Sequence, residues 1–156
     1  MPASPDVLDI ATMADFFGTV WQVNAILIPN HVPGKQPYLQ PVGEVMRLFG
    51  SAQGEHDVAV RCDDSAVDVT ASRTGNAVYL HLANTDMRAS RELTLEGLNV
   101  ASARMRYIAA RPETEITFDN LDCFVEQSCE VEGQTVTLPA AAVAVVEITL
   151  GEENNA

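Results

Sequence analysis

The sequence predicts a mainly β protein: an antiparallel β-sandwich of jelly-roll type, preceded by two helices. Apolar side chains recur at helical spacing before Gly50 and at every second position in most segments after it. Turn-forming residues, chiefly Gly, Pro, Asn and Asp, separate the later segments from one another. Eight short candidate strands at this spacing favour a sandwich or a jelly roll.

The first helix is predicted from about residue 5 to about residue 22. Ser4 is a preferred capping residue, Pro5 suits the first helical position, and Asp6 places an acid in the first turn. The apolar residues that follow at helical spacing are Val7, Leu8, Ile10, Ala11, Met13, Ala14, Phe17, Val20 and Trp21.

The second helix is predicted over residues 41–49. Pro41 stands near its start and Gly50 near its end, as helix termini favour. A short extended piece, "AILIPN", and a loop, "HVPGKQP", connect the two helices. The predicted apolar stripe consists of Val42, Val45, Met46 and Phe49.

After Gly50 the pattern is that of β-strands. Apolar and polar side chains alternate over 67–72 and 78–83, and Thr74-Gly75-Asn76 between them is a turn signal. One apolar and one polar face is typical of an antiparallel sheet that is packed on one side. The candidate strands are 57–62, 66–73, 77–84, 90–96, 100–109, 123–131, 134–138 and 142–150.

This change of pattern divides the chain into a helical segment, residues 1–50, and a β-sandwich domain, residues 51–156. The formal net charge is -13, from 22 acids and 9 bases. Such a surface repels phosphate backbones, so we expect neither nucleic acid nor an anionic membrane as a partner. The sequence leaves the compartment open, cytoplasmic or secreted.

The sequence contains no catalytic, phosphate-binding or zinc-binding motif. His31, His56 and His81 lie 25 residues apart, a spacing that does not resemble a metal site. We therefore expect surface or hydrogen-bonded histidines, with no metal and no cofactor bound.

Acidic residues occur in pairs, but their placement in predicted turns favours solvated side chains over catalysis. Hydrolysis of a glycosidic bond needs two carboxyl groups about 5–9 Å apart across a cleft. The segment "DNLD" lacks the spacing of a calcium loop. No catalytic residue is assigned; the pairs are Asp63-Asp64, Glu113/Glu115, Asp119/Asp122 and Glu130/Glu132.

Aromatic residues make up 6% of the chain, few for a sugar-binding sheet. Tyr79 and Tyr107 are the strand residues available to stack on a sugar ring, and Trp21 lies in the first predicted helix. We expect weak glycan contact at most.

The three cysteines form no C-x-x-C pair. Cys123 and Cys129 have the same parity along a predicted strand, so a disulfide between them is conceivable. The default role of Cys62, Cys123 and Cys129 is that of small buried apolar residues.

The first fifty residues contain a series of motifs. "VWQVNAILIPNHVPGKQPYLQPVGEVMRLFGSAQG" resembles the end of the catalytic barrel in α-L-arabinofuranosidases of glycoside hydrolase family 51. The matching residues are Val23-Asn24-Ala25 before an apolar strand, then Pro41, Val45 and Phe49 in the helix that follows.

The β segments extend this resemblance over nearly the whole chain. Residues 81–85, His-Leu-Ala-Asn-Thr, match a strand end of the family, and "EITFDNLD" matches a further segment, with Leu121 where the family often has proline. "VTLPAAAVAVVEI" resembles the closing strand, with Ala140 and Ala142 as departures.

The resemblance implies a C-terminal jelly-roll sandwich that follows a (β/α)₈ barrel. In that family the catalytic glutamates lie at the ends of barrel strands, upstream of the residues matched here, so none is carried over to this chain. The resemblance therefore implies a non-catalytic domain whose partner is the catalytic barrel of the parent enzyme.

Two other hypotheses compete with this structural role. One is a carbohydrate-binding module for arabinose-containing polysaccharides, and the other is a small hydrolase that uses two turn acids. A further expectation is a homodimer through residues 7–21, since Phe16 would add to the apolar stripe of the first helix and widen an exposed patch.

Overall fold

A computed structural model describes residues 16–19 and 24–151, and these residues are mainly β. A short 3-10 helix spans Leu121–Phe124. The elements are β1 (Phe17–Gly18), β2 (Ile26–Leu27), β3 (Tyr38–Leu39), α1 (Pro41–Gly50), β4 (His56–Val58), β5 (Val67–Thr74), β6 (Ala77–Asn84), β7 (Arg91–Thr94), β8 (Val100–Ile108), β9 (Gln127–Glu130), β10 (Thr135–Leu138) and β11 (Val143–Leu150).

A six-stranded sheet of order β4-β5-β6-β11-β8-β9 forms the body of the fold. Every neighbouring pair in it is antiparallel. The last strand, β11, lies between β6 and β8, so that Val146 is opposite both Leu80 and Met105. The C-terminal strand therefore holds the two halves of the sheet together.

One face of this sheet packs against the two-stranded sheet β10-β7. Leu80, Leu82 and Val146 of the large sheet meet Val136 and Leu138 of β10 in one buried cluster. These side chains come from alternate positions of their strands, as the period of two requires. The strands β4 to β11 thus form two antiparallel sheets packed face to face.

The opposite face of the six-stranded sheet is covered by α1. Leu48 is fully buried against Ile108 and Val145, and Phe49 packs beside them. Alternate residues of β11 therefore enter two different cores, which explains why its sequence is apolar almost throughout.

The second predicted helix is confirmed, because α1 spans Pro41–Gly50 with proline in its first turn. Its apolar stripe differs from the prediction, since Leu48 is the buried contact and Met46 is 45% exposed. Gly43 allows a close approach: a Cβ there would lie 2.4 Å from the carbonyl oxygen of Ala25.

The first predicted helix, 5–22, is wrong at the residues that the structure describes. Phe17–Gly18 is a strand that pairs in parallel with β2, in a small sheet of order β1-β2-β3. The amide groups of Ala25 and Ile26 donate to the carbonyl oxygen of Phe16. Glycine weakens a helix interior, and here strand pairing is the alternative. Residues 5–15 and 20–22 lie outside the described part of the chain.

The predicted β segments agree with the structure best in the central hairpin, where β6 has the predicted bounds, 77–84. The prediction for 123–131 is too long, because the chain forms a 3-10 helix at Leu121–Phe124 before β9 begins. The prediction for 57–62 also fails at its end, since β4 stops at Val58. Over residues 16–19 and 24–151, no helix has the length and apolar character to cross a membrane.

Candidate functional site

The three histidines lie apart from one another. His31 and His56 are exposed, in a turn and on β4. His81 is half-buried on β6, where its Nε2 lies 2.8 Å from the carbonyl oxygen of Ala52 and its ring centroid 4.9 Å from that of Phe49. Within the described ranges, no three His, Cys, Asp or Glu side chains are grouped as metal ligands would be.

Three acidic residues of the predicted pairs have different hydrogen-bonding or ion-pair partners. Asp63 lies 2.9 Å from Arg61, while Asp64 accepts a hydrogen bond from the amide of Ala66. Asp119 pairs with Lys35 at 2.6 Å. Asp63, Asp64 and Asp119 each have a partner of their own.

The two tyrosines lie on opposite faces of the six-stranded sheet. Tyr79 is opposite Glu147 and packs in the cluster beneath α1, whereas Tyr107 is opposite Ala144 and packs in the sandwich core. The hydroxyl of Tyr107 donates to Gln127. A sugar ring cannot stack on both, so these residues do not form a shared aromatic platform.

The cysteines are free thiols. Cys123 lies in the 3-10 helix and Cys129 on β9, so one strand does not span them. Cys62 and Cys123 are half-buried, but Cys129 is exposed, and the expected burial is therefore wrong for Cys129.

An ion-pair network at the end of α1 was not anticipated from the sequence. Arg106 of β8 donates to Glu147 at 2.8 Å, to Glu126 at 3.1 Å and to the hydroxyl of Ser51 at 3.0 Å. Arg47 of α1 reaches Glu126 at 3.2 Å. Two strands, the helix end and the segment before β9 are thereby joined. The available signal was the pair of arginines, Arg104 and Arg106, within the otherwise largely apolar strand β8.

The end of β6 forms a second polar corner. Asn84 is buried, and its Nδ2 donates to the carbonyl oxygens of Ala89 and Pro139 at 2.9 and 2.8 Å. Its Oδ1 accepts a hydrogen bond from the amide of Asp86. The family-like motif at residues 81–85 therefore ends on an asparagine that ties two loops together.

The carboxylate of Asp86 makes further hydrogen bonds at this corner. Its Oδ1 accepts hydrogen bonds from the amides of Arg88 and Ala89 at 2.9 and 3.0 Å, and its Oδ2 pairs with Arg91. The two amide hydrogen bonds, with a further contribution from Arg91, lower the pKa of Asp86 below its ordinary value.

A cleft of about 830 Å³ lies beside β5. A smaller cavity of about 360 Å³ lies between the segment 60–63 and β7. Both volumes fall in the range of ligand pockets. The larger one, called the β5 cleft below, is lined by Phe49, Val60, Arg61, Cys62, Asp63, Val67, Asp68, Val69, Thr70, His81, Leu82 and Ala83.

Solved structures that match this fold include parts of glycoside hydrolases. An arabinofuranosidase of glycoside hydrolase family 51 from Xanthomonas axonopodis pv. citri matches with a TM-score of 0.60 and 23% identity over 81% of this chain. The α-L-arabinofuranosidase from Thermotoga maritima matches with a TM-score of 0.64 and 16% identity over 82%. The resemblance inferred from the sequence is thus confirmed as a likeness of fold.

The same fold occurs beyond the arabinofuranosidases. A β-porphyranase of glycoside hydrolase family 86 from Bacteroides plebeius matches with a TM-score of 0.58 and 14% identity over 85% of this chain. This chain spans only 29%, 32% and 23% of the three matched enzymes. No protein-family model matches the sequence, and the curated proteins gave no match.

Proposed function

We propose that this chain is a non-catalytic C-terminal β-sandwich domain, of jelly-roll type, of an α-L-arabinofuranosidase-like glycoside hydrolase, in which it supports a catalytic barrel. The observation that carries the proposal is the unequal coverage. About four-fifths of this chain matches the two arabinofuranosidases, yet the chain spans under a third of either enzyme. A domain attached to a larger catalytic unit has this pattern.

The placement of the acidic side chains supports a non-catalytic role. A retaining glycosidase needs two carboxyl groups about 5–5.5 Å apart, and an inverting one about 6.5–9.5 Å. Asp63 and Asp119 instead pair separately, with Arg61 and Lys35. We therefore assign no catalytic, cofactor-binding or metal-binding residue to this chain.

The first fifty residues supply the proposed link to the barrel. The parallel pairing of β1 with β2 supports this, because parallel strands are the rule in (β/α)₈ barrels and rare in small sandwiches. Residues 1–50 then form the end of the barrel and residues 51–156 the sandwich. Through Leu48, α1 packs on the large sheet and would transmit support between the two units.

An apolar surface at β1 is the proposed contact with the barrel. Phe16 and Phe17 are 47% and 66% exposed, next to the outer edge of the three-stranded sheet. Burying such side chains stabilises an interface by about 25 cal/mol per Å². We propose that the barrel covers this surface, and that without a barrel a second copy covers it through residues 7–21.

Carbohydrate binding is the weaker alternative, because Tyr79 and Tyr107 lie on opposite faces of the sheet. We expect glycan affinity to be millimolar or weaker.

An activity assay tests the non-catalytic assignment. The purified chain should not hydrolyse an aryl α-L-arabinofuranoside above the rate of the uncatalysed reaction. Turnover that disappears in Asp64→Asn or in Asp119→Asn, while the variants remain folded, would contradict the proposal and support the small-hydrolase hypothesis.

A further inference from the structure

The outer edge of β5 is paired over only part of its length. Among the described residues, β4 pairs with β5 at Ala71, Ser72 and Arg73, whereas β6 pairs with β5 from Val67 to Thr74. Beyond Val58 the chain leaves β5, and the segment 60–63 becomes the far wall of the β5 cleft. The first half of β5 therefore presents one strand edge to this cleft.

The backbone groups on this edge follow from the register. Thr74 and Ala77 flank a two-residue turn, so in β5 the even-numbered residues hydrogen-bond to β6 and the odd-numbered ones face the other way. The amide of Val67 donates to Asp64 at 3.1 Å. The carbonyl group of Val67 and both backbone groups of Val69 point toward the cleft, as they would toward a further strand.

The side chains of the cleft also alternate. Val67 and Val69 belong to the sandwich-core face of the sheet, where Val60, Cys62 and Leu82 lie beside them. The next residues, Asp68 and Thr70, lie on the opposite face, the one that α1 covers farther along the sheet. An added strand would thus place apolar side chains on one face and polar ones on the other.

The charges that line the β5 cleft favour basic side chains at the polar positions of such a strand. Asp63 and Asp68 both line the cleft, and the guanidinium of Arg61, which also lines it, already pairs with Asp63 at 2.9 Å. The whole chain carries a net charge of -13, which draws in cations and repels anions. A basic side chain opposite Asp68 therefore complements the site.

We propose that the β5 cleft binds an extended peptide segment of another protein, in which apolar and basic side chains alternate. The segment adds as a strand to the edge of β5 at Val67–Thr70. Main-chain hydrogen bonds supply affinity, and Asp68 selects the basic residues. Residues 1–15, 20–23 and 152–156 contain no Lys or Arg, so none of these segments supplies the basic strand.

Fluorescence anisotropy with defined peptides tests this proposal. The probe is a labelled eight-residue peptide in which valine alternates with lysine, and a matched peptide has glutamate in place of lysine. We expect the lysine peptide to bind at least tenfold more tightly. Asp68→Asn should weaken its binding several-fold, whereas Glu130→Gln, the same charge change on the opposite edge strand β9, should leave it unchanged.

A second pair of peptides tests whether binding depends on main-chain hydrogen bonds. Two versions of the lysine peptide are N-methylated at alternate positions, one on the even residues and one on the odd residues. A strand on β5 uses one set of amides, so one version should lose binding and the other should retain it. Equal behaviour of the two versions, or equal affinity of the lysine and glutamate peptides, would overturn the proposal.

A titration with a glycan tests whether the β5 cleft binds a sugar instead of a peptide. Amide resonances of Asp68, Val69 and Thr70 should shift with the lysine peptide and not with an arabino-oligosaccharide. The reverse result would assign the cleft to a sugar and refute the peptide proposal, without bearing on whether a barrel accompanies the domain.

Discussion

At the scale of single residues, the corner after β6 shows how the sequence motif and the structure correspond. A strand that ends in Asn-Thr-Asp is common enough to carry little information alone. In the structure, Asn84 is buried and holds the carbonyl oxygens of two separate loops, while Asp86 accepts the amides of Arg88 and Ala89. The motif therefore determines the geometry of this corner.

The pH dependence of unfolding tests the role of Asp86. Its pKa is lowered in the folded state, so its carboxylate stabilises the fold at pH values above the unfolded pKa of about 3.9. That contribution is lost as the pH falls through the lowered pKa. Asp86→Asn should therefore reduce the free energy of unfolding at pH 7, and the difference from wild type should shrink below about pH 3.9.

Urea denaturation between pH 7 and pH 2.5 measures this difference. Asp57→Asn, an exposed site on β4, controls for the loss of one negative charge from the chain. A deficit of Asp86→Asn that stays constant down to pH 2.5 would show that the carboxylate has no such role.

At the scale of elements, α1 is the part of the N-terminal region that pattern and structure agree upon. Its proline and glycine signals mark the ends correctly, but the spacing of apolar residues alone did not identify the buried face. Leu48 is buried because β8 and β11 lie beneath it, and Gly43 faces β2 at close range. These contacts depend on the tertiary arrangement, which the helix sequence does not specify.

The substitution Gly43→Ala tests whether helix propensity or packing decides the change in the free energy of unfolding at this position. In an open helix interior, Gly→Ala raises the free energy of unfolding by about 1 kcal/mol. Here the added Cβ would lie 2.4 Å from the carbonyl oxygen of Ala25, so we expect Gly43→Ala to lower that free energy by about 1–3 kcal/mol.

The matched control is Gly50→Ala at the other end of α1, where a Cβ would meet no described atom within 4 Å. Chemical denaturation should show a neutral or stabilising effect there. Stabilisation by Gly43→Ala would mean that α1 does not approach β2 as closely as the structure indicates.

Two segments fold differently from their predictions, and the structure shows the physical reason for each. Phe17 fits a helical apolar stripe, but it pairs as β1 with β2, since a short apolar segment with glycine suits either element. The segment 123–131 alternates like a strand, yet its first residues form a 3-10 helix that brings Glu126 to Arg106. In both places a partner distant in sequence decides the local structure.

At the scale of the whole molecule, the chain is an acidic sandwich with an apolar surface at one end. The regular β segments and their antiparallel arrangement were predictable, because two-residue periodicity and turn residues are local signals. The likeness to arabinofuranosidases was inferred separately, from the resemblance of sequence motifs to that family. The β5 cleft was not, because it depends on where β4 stops pairing.

Self-association tests the apolar surface at β1. Light scattering coupled to size-exclusion chromatography should give twice the monomer mass for the isolated chain. Phe17→Asp should restore the monomer, because it places a charge in the proposed interface. Met87→Asp, at a residue that is 58% exposed on the turn after β6, provides the control and should not alter the mass.

A monomer at high concentration would contradict the proposed dimer and leave the barrel as the proposed partner that covers Phe16 and Phe17. A dimer that persists in Phe17→Asp and dissociates in Met87→Asp would place the interface elsewhere.

The most direct test of the central claim is the sequence of the gene upstream of the codon for Met1. We expect an open reading frame, continuous with this chain, that encodes a (β/α)₈ barrel carrying two glutamates at the ends of its strands. A stop codon immediately upstream, with no barrel encoded beside it, would contradict the claim that this sandwich is the C-terminal domain of a glycoside hydrolase.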